Sequence, residues 1–139
     1  MHHIGLNCVD PIAVERWYAK HFGFERLRVY LPGPDQVVVV GNGGVALELF
    51  PGAGEAPAPE GEVRDGPTTR GVRHLAFLVD DLDAKLAEMG DDATLTLGPL
   101  DMSAFIDGMR VAWISDPEGN IVELNQGYED EKNPPPLDR

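Results

Sequence analysis

Four side chains in this chain have the types that bind divalent metals, and they stand at matching points of a repeated pattern: His3, Glu48, His74 and Glu123. Imidazole nitrogen and carboxylate oxygen together suit one divalent ion of the Zn, Ni, Co, Mn or Fe(II) group, with room left for water or substrate. Two carboxylates side by side away from water repel each other unless a cation neutralises them, so such a cluster makes physical sense with a metal in it.

The argument for these four rests on register. The run His3-Ile4-Gly5-Leu6-Asn7-Cys8-Val9-Asp10 is echoed by His74-Leu75-Ala76-Phe77-Leu78-Val79-Asp80-Asp81, each His leading to an Asp seven positions on. Gly44-Val45-Ala46-Leu47-Glu48-Leu49 is echoed in the same way by Gly119-Asn120-Ile121-Val122-Glu123-Leu124. Side chains alternate across a strand, so His3, Gly5 and Asn7 share one face while Ile4, Leu6 and Cys8 share the other. His74, Ala76 and Leu78 likewise separate from Leu75, Phe77 and Val79, and each Glu leaves the apolar face of its own strand. If a pseudo-twofold axis relates the halves, both His and both Glu converge on one hollow. His2 competes with His3, but His3 alone matches the spacing to its Asp, and His2 points to the opposite face.

The elements that position these residues follow the same repeat. Asp10 with Pro11, and Asp81, are helix N-caps; one helix carries Val14, Trp17, Tyr18 and Phe22 on a stripe up to Gly23, the other Leu82, Leu86 and Met89 up to Gly90. Extended runs follow at Arg26 to Tyr30, Gln36 to Val40 and Val45 to Phe50, and again at Thr94 to Leu97, Arg110 to Ser115 and Ile121 to Asn125. Each half reads βαβββ. The predicted fold is α+β, two tandem βαβββ modules making a curved eight-stranded open barrel around a metal site. The predicted parts are a first module over 1–50, a linker or lid over 51–70, a second module over 71–127 and an extended tail over 128–139. His21, at the end of the first helix, reads as a partly exposed residue favourable to the helix dipole, and Asp80, Asp81, Asp83, Asp91 and Asp92 as capping and solvated charges.

Composition narrows the function. The chain has 139 residues, 42% hydrophobic and 25% charged, enough for one compact unit. Its formal net charge of -13 repels nucleic acid phosphates and anionic lipid, so neither nucleic acid nor membrane is an expected partner. No run is apolar for long enough to span a bilayer or act as a signal sequence, which makes a cytoplasmic location the expectation. Cys8 is the single cysteine, so no intrachain disulfide or cysteine-rich zinc site exists.

Taken together, His3-Ile4-Gly5-Leu6 with Asp10, Trp17-Tyr18 to Phe22-Gly23-Phe24, Leu47-Glu48-Leu49-Phe50, Arg73-His74-Leu75-Ala76-Phe77 with Asp81, and Asp116-Pro117-Glu118-Gly119-Asn120 before Glu123-Leu124 resemble the vicinal oxygen chelate superfamily. That family includes glyoxalase I, methylmalonyl-CoA epimerase, extradiol dioxygenases, and fosfomycin and bleomycin resistance proteins. The resemblance covers residues 2 to 127. It implies a four-ligand set at His3, Glu48, His74 and Glu123, with the metal a Lewis acid on vicinal oxygens of a small carbonyl substrate. Glu123 or Glu48 is then the catalytic group that moves a proton, as in a lyase or isomerase. It also implies a homodimer. Asn7, Phe50, Leu78 and Asn125 are the candidates for the substrate wall. Asn7 stands where the bacterial glyoxalase I resembled here has an arginine for glutathione, which counts against that substrate. Alternative readings are an extradiol-type dioxygenase, disfavoured by the second carboxylate, and a resistance-type protein that binds a small molecule without turnover. Sequence leaves open whether the barrel closes within one chain or between two.

Overall fold

The computed structural model of the chain describes residues 1–30, 33–54 and 63–136. The first half contains β1 (His3–Cys8), α1 (Pro11–Phe22), β2 (Glu25–Tyr30), β3 (Val37–Gly41) and β4 (Ala46–Pro51). The second contains β5 (Leu75–Leu78), α2 (Leu82–Met89), a 3-10 turn at Gly90–Asp92, β6 (Thr94–Asp101), β7 (Arg110–Ser115) and β8 (Ile121–Gln126). Each half forms its own sheet, in the orders β1-β4-β3-β2 and β5-β8-β7-β6. The first strand of each lies parallel to the last and the other pairings are antiparallel. The α+β class and the paired βαβββ modules match the expectation. The eight strands lie as two separate sheets, however, and these do not join into a barrel within the chain.

Local chemistry fixes the helix ends. Asp10 Oδ1 accepts from the backbone N–H of Ile12 and Ala13 at 3.1 and 3.0 Å, ahead of Pro11 at the first helical position. Gly23 closes α1 in the left-handed region, φ 65°, where its missing Cβ avoids the steric penalty. Asp81 caps α2 through Ala84 N at 2.9 Å.

Both helices and both sheets share one core. Val14, Trp17 and Tyr18 of α1 pack with Val38, Val40, Leu47 and Leu49 of the first sheet and with Leu82, Met89, Ala112, Ile114, Val122 and Leu124 of the second half. The Phe22 and Phe77 rings stack at 4.1 Å across the junction. Burying each of these large side chains contributes about 1.5–3 kcal/mol, so the helix-side faces hold the halves together. The other faces of the two sheets are left to point away from that core.

Polar ties reinforce the junction. Tyr18 Oη donates to Asp116 Oδ2 at 3.0 Å, Trp17 Nε1 donates to the Asp92 carbonyl at 3.3 Å, and Asp10 N donates to Glu118 Oε1 at 2.7 Å. His21 corrects its reading as a partly exposed helix end: it is 4% exposed, with Nε2 2.9 Å from Asp92 Oδ2. Asp92, read as a solvated charge, also accepts from Lys20 at 2.6 Å. Helical periodicity reports packing within one half and carries no sign of a partner from the other.

Of the 51–70 segment read as a linker or lid, Pro51 ends β4 and 55–62 lie outside the described residues. Gly127–Pro136 forms neither helix nor strand. Among the described residues no helix is long and apolar enough to cross a membrane.

Candidate metal centre

Strand register places the two glutamates equivalently. Glu48 stands opposite Gly5 across the β1–β4 pair, and Glu123 opposite Ala76 across β5–β8. On their other flanks Glu48 faces Val39 and Glu123 faces Trp113. The small residues Gly5 and Ala76 leave room beside each carboxylate. In the first sheet Phe50 uses that room, since a methyl placed on Gly5 would stand 3.4 Å from its ring.

Each half brings its own imidazole to its own carboxylate: His3 Nε2 lies 3.3 Å from Glu48 Oε2, and His74 Nε2 lies 2.9 Å from Glu123 Oε2. The surroundings differ. His74 Nδ1 lies 2.7 Å from the Asp65 carbonyl. A carbonyl only accepts, so that nitrogen carries the hydrogen, and the ring is held with its Nε2 facing the carboxylate. Asn125 Nδ2 donates to Glu123 Oε1 at 2.8 Å, occupying one oxygen and leaving Oε2 for the imidazole. Ring fixed by a backbone carbonyl and carboxylate fixed by an amide is the outer support that metal ligands need. Among the described residues the Nδ1 of His3 meets its neighbour, His2 Nδ1, at 2.9 Å and no backbone carbonyl.

The donor chemistry of both pairs fits a divalent ion: each sets a ring nitrogen and a carboxylate oxygen within the span of one ion's ligands. The four residues do not gather in one chain. Among the described residues no group of three or more His, Cys, Asp or Glu comes together in a metal-holding arrangement. Two surface hollows of about 530 and 720 Å³ lie elsewhere, one between α1 and α2 and one under the tail, and neither is lined by these four. The physical reason is the shared core, which turns the His/Glu faces of both sheets outward.

The residues expected to form the substrate wall divide. Asn125 is 7% exposed beside Glu123, and Phe50 lies over Gly5 next to Glu48. Asn7 is exposed at the end of β1, and Leu78, also exposed, borders the hollow between the helices. The sequence reading missed Trp113 and Asp65. Trp113 was findable from its place opposite Glu123 in the β7–β8 hairpin; Asp65 acts through its backbone, which leaves no trace in residue type.

Two titratable groups near the junction are structural. Burial pushes the Asp116 carboxyl above its usual range, against the bonds it accepts from Asn120, Tyr18 and Glu118. Burial, with the nearby charge of Glu118, pushes the Cys8 thiol up to about 12, so it packs as a small apolar side chain.

Comparison with known proteins agrees with this geometry. Residues 1–124 match the Glyoxalase/Bleomycin resistance protein/Dioxygenase superfamily. The uncharacterized protein YaeR of Escherichia coli (strain K12) is 30% identical over 131 residues, 89% of this chain and 93% of that protein. The crystal structure of a glyoxalase family protein from Enterococcus faecalis superposes with TM-score 0.69 at 28% identity, covering 91% of this chain and 96% of that one. TnmS3, an antibiotic binding protein from Streptomyces sp. CB03234, superposes with TM-score 0.60 at 25% identity, covering 92% and 95%. With its repeated modules, its equivalent glutamates and a match over nearly its whole length, the chain belongs to the Glyoxalase/Bleomycin resistance protein/Dioxygenase superfamily.

Proposed function

We propose that the protein is a divalent-metal-dependent lyase or isomerase of glyoxalase or epimerase type, acting on a small carbonyl compound. Its site is completed between two copies: His3 and Glu48 of one chain meet His74 and Glu123 of the other. The observation that carries this reading is the supported pair in the second half, where Asp65 fixes the His74 ring and Asn125 fixes Glu123, with Nε2 and Oε2 2.9 Å apart. One imidazole and one carboxylate are too few for a tight site, and the equivalent pair on the first sheet supplies the missing two.

A divalent cation held there supplies Lewis acidity to vicinal substrate oxygens, stabilising negative charge that develops on them. The chain's own part is proton transfer. Glu123, oriented by the Asn125 amide, takes the proton from the carbon next to the carbonyl and returns it to the neighbouring position, with Glu48 in the matching place on the opposite wall. The apolar residues Met109, Val111, Trp113 and Ile121 exclude water around that carboxylate.

Metal analysis of protein purified without chelator tests the reading. Near-stoichiometric metal in the unaltered chain, lost in both His74→Ala and Glu123→Ala, is the expected result; metal content unchanged by either substitution overturns it. The second reading, a protein that binds a small molecule without turnover, is favoured by the likeness to TnmS3. It requires tight stoichiometric binding that a chelator leaves untouched.

A further inference from the structure

Two buried side-chain polar atoms among the described residues have no hydrogen-bond partner, Trp113 Nε1 and Asn125 Oδ1. Both residues are 7% exposed. Buried donors and acceptors are almost always paired, because an unpaired one forfeits its hydration with nothing in return. These two share one place. Trp113 stands directly opposite Glu123, Asn125 bonds Glu123 through Nδ2, and Trp113 and Asn125 are diagonal neighbours on the same face of the β7–β8 pair. Such neighbours are roughly 7–8 Å apart, so the two side chains share the face that carries Glu123. The amide orientation is fixed as well, since turning Asn125 over would set its oxygen against the Glu123 carboxylate.

The first half shows that the fold does not require either group. The positions equivalent to Trp113 and Asn125, flanking Glu48, hold Val39 and Phe50, which have no polar side-chain atom. The second half thus sets one N–H donor and one carbonyl acceptor into an apolar wall of Met109, Val111 and Ile121. Val63, Met102 and Ile106, each only partly buried, lie over it.

We propose that Trp113 and Asn125 are the residues that read the substrate, the indole N–H donating to a carbonyl oxygen and the Asn125 carbonyl accepting from an adjacent hydroxyl. The ligand class is an α-hydroxycarbonyl compound with an apolar, aromatic or branched body, seated where the side chains of Val63, Met102 and Ile106 give way. This rests on taking the His74–Glu123 face as the reaction site, but needs no metal for its hydrogen bonds. Trp113 reads the ligand and leaves the strand pairing of β7 to the backbone.

Calorimetry on the full-length chain in excess chelator tests it with three probes. These are 2-hydroxyacetophenone, 2-methoxyacetophenone, whose hydroxyl is blocked, and 2-phenylethanol, which has no carbonyl. Saturable binding of the first is expected, weakened roughly five- to tenfold for each of the others. In Trp113→Phe, affinity for 2-hydroxyacetophenone falls to that for 2-phenylethanol, whose own affinity is unchanged. No saturable binding of 2-hydroxyacetophenone to the unaltered chain overturns the proposal, as does equal binding of all three probes or an equal loss for all three in Trp113→Phe. Should Trp113→Phe not fold, the probe series on the unaltered chain decides alone. Probe selectivity in a protein that takes up no metal overturns the metal reading and leaves this one standing; stoichiometric metal without probe selectivity does the reverse.

Discussion

The two His/Glu faces carry the same pattern and differ in how much structure stands behind it. In the first half the His3 side chain is 43% exposed, touches His2, and sits near a Glu48 flanked by Val39 and Phe50. In the second half the His74 side chain is 24% exposed and pinned by Asp65, while Glu123 is held by Asn125 and walled by Trp113. A site needs its ligands held before the ligand arrives, because ordering them afterwards subtracts from affinity. In the proposed centre the second half is the prepared wall, and the first supplies donors from an open face. That division suits a centre assembled when two chains meet, where one surface is built in advance and the other closes it.

The sharpest way to break this picture is complementation. In His3→Ala and in His74→Ala each homodimer lacks one ligand at both sites, so neither retains stoichiometric metal. Mixed and allowed to exchange subunits, the two variants form heterodimers in which one site has both imidazoles and the other has neither. Random exchange then restores about a quarter of the full metal content. Two chains that each close their own site regain none. Metal analysis after co-refolding reads the difference.

The next effect bears on the asymmetry itself. Asn125→Ala removes the amide that holds Glu123, and loss of such a support lowers metal affinity about 10- to 100-fold. Phe50→Ala, at the equivalent place beside Glu48, removes no hydrogen bond to that glutamate and leaves metal affinity within about threefold. Competition with a metal-binding dye measures both. Equal losses would mean that the halves contribute alike and that the extra structure around Glu123 serves something other than holding it.

How far the sequence showed this depends on what kind of signal each feature leaves. The βαβββ repeat, both Asp caps and the strand faces were visible because alternation and capping are written in residue type at short range. His3 with Glu48, and His74 with Glu123, were visible through their common register. The separation into two sheets was not, since both arrangements of the halves satisfy the same local pattern and long-range packing selects between them. Burial of His21 was hidden for the same reason: its partner, Asp92, lies 71 residues away. The Asp65 carbonyl that orients His74 left no signal at all, because any residue could supply it.

The junction of the halves gives a third, smaller effect. Tyr18 is fully buried and its hydroxyl reaches from α1 to Asp116 in the turn before β8. Tyr18→Phe keeps the ring in the core and removes one hydrogen bond to a buried carboxyl, which costs about 1.5–3 kcal/mol of stability. Urea denaturation followed by circular dichroism checks this. Metal content per folded chain stays unchanged, because the bond lies on the core side of the sheets and the His/Glu pairs of the proposed centre lie on the other. A loss of metal in folded Tyr18→Phe would join the two regions that the structure keeps apart.

The smallest effect is a pH dependence at the same junction. Asp92 is held below the usual carboxylate range, first by its hydrogen bond from Lys20 and then by that from His21. A carboxyl whose pKa is lower in the folded chain than in the unfolded one adds stability above its ordinary value of 3.8 and loses it as pH falls through the lower folded value. Thermal melts of the unaltered chain and Asp92→Asn therefore differ at pH 7 and draw together only as pH falls below about 4. Convergence already at pH 6 would show that the Asp92 carboxyl is not held low in the folded chain. Because Asp92 ties the end of α1 to the turn after α2, this pair of melts reads the contact between the halves without touching either His/Glu face.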